Sequence, residues 1–267
     1  TNANNATLTA KDGGNRTISV ANATGSSKAF TLTGGDGQDI LTGGAGADII
    51  TGGGANDTIN IAVAGQGNSD IMDGNSGTDT LQLSSGAHVF ASNANFANIE
   101  TVLANSSGSS VNLSAQAEAL TITGGAGVDT LIAGSGADII TGSGDNDSFT
   151  GGSGNDTFNI DSGTDVVTDL GGISGGESDV VVVSSGATLN ATNVVSFTAT
   201  SSTTNSGTAN LTAKSTGGII DMFSAGGAVA YNLISGAGTD TLKGGAGGDT
   251  FTIAASGEGN TDTFDGN

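Results

Sequence analysis

At 267 residues the chain is long enough for one or two ordinary domains, but 48 Gly, no Pro, no Cys and no Trp place it far from average usage and argue against a conventional helix-and-sheet core. Its 26 acidic residues against 5 basic ones give a formal net charge of -21, which argues against nucleic acid or anionic membrane as a partner and in favour of bound cations. Without cysteine, no disulfide staples the fold.

The opening stretch TNANNATLTA has neither a basic nor an apolar leader region, and no apolar run in the chain approaches the length of a membrane span. Residues 1–33 read as β-rich lead-in strands. The sequons at Asn5, Asn15 and Asn22 arise freely in so Asn/Ser/Thr-rich a chain. From Gly34 a nine-residue period sets in, with ninemers starting at 34, 43 and 52 and, after a four-residue insertion, at 65 and 74, a first block over 34–82. Residues 83–123 form a spacer of short β-branched runs broken by Asn, Gly and Ser, in which Ser114–Leu120 (SAQAEAL) is the one plausible helical turn. A second block, 124–168, carries ninemers at 124, 133, 142, 151 and 160, and a second β-rich spacer spans 169–234. The third block, 235–267, has starts at 235, 244 and 257 and stops inside a repeat, so the sequence reads as a piece of something longer. The spacers either continue the stacked sheets without metal or form a separate small β module. Ile59–Asn75 resembles Phe251–Asn267, and Ala6–Lys11 resembles Ala209–Lys214, a longer tandem period laid over the short one.

Every ninemer has Asp at its sixth position: Asp39, Asp48, Asp57, Asp70, Asp79, Asp129, Asp138, Asp147, Asp156, Asp165, Asp240, Asp249 and Asp262. Every eighth position is apolar, from Leu41 and Ile50 through Phe149 and Phe158 to Phe251 and Phe264. Glycines before each Asp permit a tight six-residue turn. The remaining three residues make a short strand with one inward side chain, and two ninemers complete a coil.

The repeats at 34, 43, 124, 151 and 244 fit G-G-x-G-x-D-x-U-x at all its Gly and Asp positions, and in this they resemble the calcium-binding nonapeptides of the repeats-in-toxin (RTX) family. The resemblance implies an all-β, right-handed parallel β-roll in which several Ca²⁺ ions sit between equivalent turns of successive coils. Their ligands would be the thirteen aspartates together with turn carbonyls, here those of Gly35, Gly37, Gly52, Gly54, Gly125, Gly127, Gly134, Gly136, Gly142, Gly144, Gly152, Gly154, Gly245 and Gly247. It also implies a bacterial protein exported by a type I system and folded by calcium outside the cell. The chemistry agrees: Ca²⁺ wants six to eight oxygens, which a Gly-rich turn can aim at one point while Asp supplies charge. Repeats n and n+2 share an edge, pairing Asp39 with Asp57, Asp129 with Asp147, Asp138 with Asp156, and Asp147 with Asp165. Carboxylates about 4.8 Å apart repel by about 3.5 kcal/mol at an effective dielectric near 20, so the stack needs cations to close. The pattern departs at Ala55, Asn75, Ala133, Ser143 and Asp145, where glycines are displaced, and the repeats at 65, 160 and 257 match mainly through Asp and the apolar residue.

Other signals carry less. GISGG, Gly172 to Gly176, fits the nucleophile-elbow pattern around Ser174, but a β-branched run follows where the elbow needs a helix. The single histidine, His88, lies between candidate strands and reads as surface or half-buried structure. Glu100 and Glu118 have no surroundings that would raise their pKa values, and read as solvated. The sequence thus describes a non-catalytic, extracellular, calcium-dependent structural protein that self-associates into an array or filament, as in a surface layer. A stalk or ligand-binding region of an adhesin, and the repeat tail of a secreted enzyme or toxin, are the competing readings.

Overall fold

The computed structural model describes residues 6–10, 13–21, 28–65, 69–172, 177–254 and 261–266. Short strands alternate with turns, and every strand pairing among them is parallel. The result is a parallel β-solenoid of about 11 turns. Parallel neighbours require a crossover, and here each crossover is a strand on the opposite wall of the coil. Among the described residues there is no α-helix, and none long and apolar enough to cross a membrane.

The walls are four sheets. A five-stranded sheet (Ala6–Thr9, Phe30–Gly35, Ile49–Gly54, Ile71–Ser76, Phe96–Ala97) faces the first half of a ten-stranded sheet that runs from Thr17–Ser19 to Thr204–Asn205. A nine-stranded sheet, Gly86–Val89 to Thr250–Ile253, then takes over from the five-stranded one. From Ser196–Thr198 a four-stranded sheet takes over from the ten-stranded one. Each exchange happens within a coil that has an extra strand: Thr80–Leu83, Gly86–Val89 and Phe96–Ala97 in the first, Thr188–Val194, Ser196–Thr198 and Thr204–Asn205 in the second. The segments between the ninemer blocks therefore run on in the same stack.

Alternate residues of each strand point inward, one in the shortest strands and two where a strand runs to four residues, as with Ile59 and Ile61 or Leu81 and Leu83, and they stack on their counterparts in the next coil. Leu41, Ile59, Leu81, Val102, Ile122, Ile140, Phe158 and Val181 form such a column in the ten-stranded sheet, and all of them are buried. The eighth-position residues of the ninemers are buried from Leu41 to Leu242, whereas Phe251 and Phe264, in the last described coil, remain partly exposed. Each buried side chain contributes about 1.5–3 kcal/mol. His88 stands in the corresponding column of the nine-stranded sheet, opposite Val111. It is fully buried, not at the surface, and its Nε2 meets the Ser84 carbonyl at 2.9 Å.

Ser114–Leu120 does not form a helical turn. The Ser114 amide donates to Asn112 Oδ1, Gln116 N donates to Leu113 O, and the Gln116 side chain turns inward to the Phe90 carbonyl, so a hydrogen-bonded turn replaces it. The one 3₁₀ turn described is Asn93–Asn95, capped by Ser92.

Candidate metal-binding turns

Each sixth-position aspartate sits at the mouth of a strand, with its backbone fixed by the parallel ladder. Its Oδ1 accepts the amide of the equivalent residue one coil earlier. At the mouth of the ten-stranded sheet the chain of bonds runs from Arg16 N to Asp39 (2.6 Å), Asp39 N to Asp57 (2.7 Å) and Asp57 N to Asp79 (2.6 Å). It resumes from Leu120 N to Asp138 (2.7 Å) and Asp138 N to Asp156 (2.8 Å). On the opposite edge Phe30 leads to Asp48 and Asp70, and Ser109 leads to Asp129, Asp147 and Asp165. Gly218 leads to Asp240 and Asp262, and Tyr231 to Asp249. All thirteen aspartates thus stand in ladders, and the n, n+2 neighbours expected from the spacing are adjacent.

The second carboxylate oxygen is where the chemistry lies. In Asp39, Asp57, Asp70, Asp79, Asp129, Asp147, Asp165 and Asp262, Oδ2 is buried and has no hydrogen-bond partner. An unpaired buried carboxylate oxygen is costly unless a cation answers it. In Asp48, Asp138 and Asp249 the same atom is taken by the amide of the turn's own second residue, Gly44, Gly134 and Gly245, at 2.7, 3.3 and 2.9 Å.

Glycine at the first turn position keeps the space beside Oδ2 open. A Cβ on Gly124 would stand 2.5 Å from Asp129 Oδ2 and 2.6 Å from the Gly142 carbonyl oxygen. The same pair of oxygens, one carboxylate and one carbonyl from the next coil, surrounds Gly34 (Asp39, Gly52) and Gly52 (Asp57, Gly74). The Gly35, Gly134 and Gly136 carbonyls likewise face the turns of the following coil, toward Gly53, Gly152 and Gly154. The carbonyls of Gly125 and Gly134 also accept the Gly144 and Ser153 amides at 3.0 and 2.9 Å. Where glycine is displaced, the backbone keeps its course: Ala55, Asn75, Ser143 and Asp145 all hold positive φ, between 61 and 81°. Ala133, at a first position, needs no such conformation and is buried.

Among the described residues no three acidic or imidazole side chains converge on one point. A cation held here must therefore draw several of its oxygens from the main chain, which these turns provide. Burial is the main cause of the raised carboxyl pKa values: Asp70, Asp147 and Asp156 are pushed up to about 7 and Asp57 and Asp165 to about 6, partly offset by the backbone bonds and, except at Asp165, reinforced by carboxylates on the same ladder.

Three acidic residues outside the ninemers also join the site. Asp179 continues the ladder beyond Asp156, accepting its amide at 2.8 Å and that of Gly171 at 2.7 Å. Asp169 accepts both Gly151 N and Gly152 N. Glu100, which reads from sequence as solvated, accepts the Asp79 amide at 2.7 Å. The Asp179-Val180-Val181 run repeats the D-x-U signature and Glu100-Thr101-Val102 repeats it with Glu for Asp, so both acids could have been marked; nothing comparable marks Asp169. Ser174 lies outside the described residues, and His88 touches a carbonyl and not a carboxylate.

A family model described as "RTX calcium-binding nonapeptide repeat (4 copies)" matches residues 31–60, 63–87, 123–158, 132–167 and 232–252. Neither the curated proteins nor the solved structures compared with the chain match it. The matched stretches hold most of the turns that carry the aspartate ladders and the glycine-lined oxygens, and the chain accordingly carries RTX nonapeptide repeats, which bind calcium ions, on a parallel β-solenoid.

Proposed function

We propose that the chain is a non-catalytic structural module that works outside the cell and is locked into its fold by calcium. The thirteen sixth-position aspartates would supply the charged ligands, and the first four residues of the turns, including the fourteen glycines named above, the carbonyls. The observation that carries this reading is the row of buried Oδ2 atoms without partners. A cation placed between coils both ligates these oxygens and cancels the repulsion along the ladder. Adding Ca²⁺ to chelated protein should therefore raise the β signal in far-UV circular dichroism cooperatively and lift the thermal midpoint; a chelated sample with an unchanged spectrum and midpoint refutes it.

Within that reading we place the protein in a surface layer or other extracellular array. What supports this is tandem recurrence: residues 30–50 recur at 231–251, with Asp39, Asp48, Leu41 and Ile50 answered by Asp240, Asp249, Leu242 and Phe251. Phe30 and Tyr231 even donate their amides to the corresponding aspartates, both at 2.8 Å. Light scattering across a calcium titration should show growing ordered species. A strictly monomeric protein at saturating Ca²⁺ would favour an adhesin stalk or the repeat tail of a secreted enzyme.

A further inference from the structure

We propose that a divalent-cation site outside the nonapeptide pattern closes the first block, held by Asp79, the Asn98 carbonyl and Glu100. It rests on the calcium reading above but involves a turn that no repeat predicts: residues 98–100 fall between the matched stretches that end at 87 and begin at 123.

The register sets the geometry. Ala97 pairs with Asp73 and Gly53 with Asn75, which stacks Asn98 on Gly74 and Gly74 on Gly52. Asn98 thus holds the place that a ninemer gives to its first glycine. Asp79 is 1% exposed; its Oδ1 is taken by the Asp57 amide at 2.6 Å, and its Oδ2 is buried without a partner. A Cβ on Gly74 would run into that Oδ2 and into the Asn98 carbonyl oxygen, the same pair of oxygens that surrounds Gly52 one coil earlier.

Asn98 is built to present its carbonyl. It holds φ at 51°, a conformation Asn tolerates better than most residues, and its Nδ2 donates to Asp73 Oδ1 at 2.7 Å. Asp73 is itself steadied by the Asn75 amide at 2.9 Å. Only one residue separates Asn98 from the ladder position at 100, against four in a ninemer turn. Glu100, one methylene longer than Asp, still reaches the Asp79 amide at 2.7 Å. Asp79 Oδ2 and the Asn98 carbonyl thus meet beside Gly74, with the Glu100 carboxylate anchored at the Asp79 amide, and water completes the six to eight oxygens that a Ca²⁺-sized ion needs.

The test counts calcium on the full chain by equilibrium dialysis. Glu100→Gln keeps an acceptor for the Asp79 amide but removes the charge, and should bind one ion fewer per chain than wild type, while Glu118→Gln, in the neighbouring spacer, keeps the full count. An unchanged count and affinity in Glu100→Gln overturns the proposal, whereas a wild-type chain that binds no calcium overturns the functional reading beneath it. Should Glu100→Gln fail to fold, anomalous diffraction from calcium-loaded wild-type crystals decides: a peak beside Asp79 and the Asn98 carbonyl is expected, and its absence alongside a peak at Gly124 and Asp129 refutes the site.

Discussion

Removing calcium should invert the response of this roll to pH. Burial holds Asp70, Asp147 and Asp156 up to about 7, and Asp57, Asp165 and Asp179 up to about 6, from an ordinary value of 3.8. A folded-state value above the unfolded one means that the fold holds the proton more tightly. The metal-free fold is therefore favoured below about 3.8 and loses that advantage as pH rises through about 6 to 7. For fully buried Asp70, ionisation at about pH 8 costs the fold about 4 kcal/mol, of which about 3 kcal/mol returns at about pH 5. Halved for solvent screening and mutual coupling, the six together still cost about 10 kcal/mol at about pH 8. That matches the whole stability of a typical domain, about 5–15 kcal/mol.

Calcium reverses the sign, because the ion favours the ionised carboxylates and their protons must leave for it to bind. His88 works against the apo trend: burial lowers its pKa, so its contribution is lost as pH falls, but it is one group against six. Urea unfolding followed by circular dichroism at pH 5 and 8, with calcium and with chelator, separates the two regimes. The chelated protein should be the more stable at pH 5, and the loaded protein at pH 8. A chelated midpoint higher at pH 8 than at pH 5 would refute the reasoning.

Two further comparisons probe the turns. Gly124→Ala, whose Cβ would intrude between Asp129 Oδ2 and the Gly142 carbonyl, should cost about 1–3 kcal/mol and one bound ion, whereas Ala55→Gly, which relieves a φ of 68°, should gain about 0.5–1 kcal/mol; thermal midpoints and metal analysis report both, and the opposite order would exclude a cradle at the first position. Asp147 accepts from Asp129 and donates its amide to Asp165, while Asp165 is followed in its ladder by Leu189, so Asp147→Ala should reduce calcium count and stability more than Asp165→Ala; equal losses would show that ions are not shared along the ladder.

The ninemer coils were legible because one rule governs both their faces: the eighth residue must be apolar and the sixth must be Asp in every repeat, so a phase error shows at once. The n, n+2 stacking follows from coil length alone. What could not be read is the exchange of walls near 86–97 and 188–205. There the strands are two to seven residues long, and any alternating run serves equally well in either sheet. His88 illustrates the difficulty, since its column position is set by pairing with Val111 and not by its own polarity. Asp169, and Glu100 despite the acidic-x-apolar run Glu100-Thr101-Val102, escaped for a related reason. Their roles come from turn residues brought near by coils of unequal length, a spacing that no fixed period reveals.

A parallel stack places each side chain opposite its own counterpart, so polar residues must either complement themselves or recruit something that does. Carboxylates cannot do so, and among the described residues no ladder holds more than four acidic side chains before a different residue interrupts it: Arg16 before Asp39, Leu120 before Asp138, Leu189 after Asp165. Amides can, since each has both donor and acceptor. In the second spacer Asn232 Nδ2 donates to Asn210 Oδ1 at 2.7 Å, and Asn210 Nδ2 to Asn190 Oδ1 at 2.8 Å, a neutral ladder on the same wall that carries Asp129, Asp147 and Asp165 earlier. The spacers also hold bulky core residues, with Phe90 edge-on to Phe96 at 5.6 Å and Phe197 and Met222 buried. Apart from Glu100, Asp169 and Asp179 at their borders with the blocks, amide ladders and apolar core close the spacer coils without charge, so the demand for calcium is concentrated in the ninemer blocks and at their ends, and the spacers divide what would otherwise be one long column of self-repelling carboxylates into short ones that a few ions can neutralise.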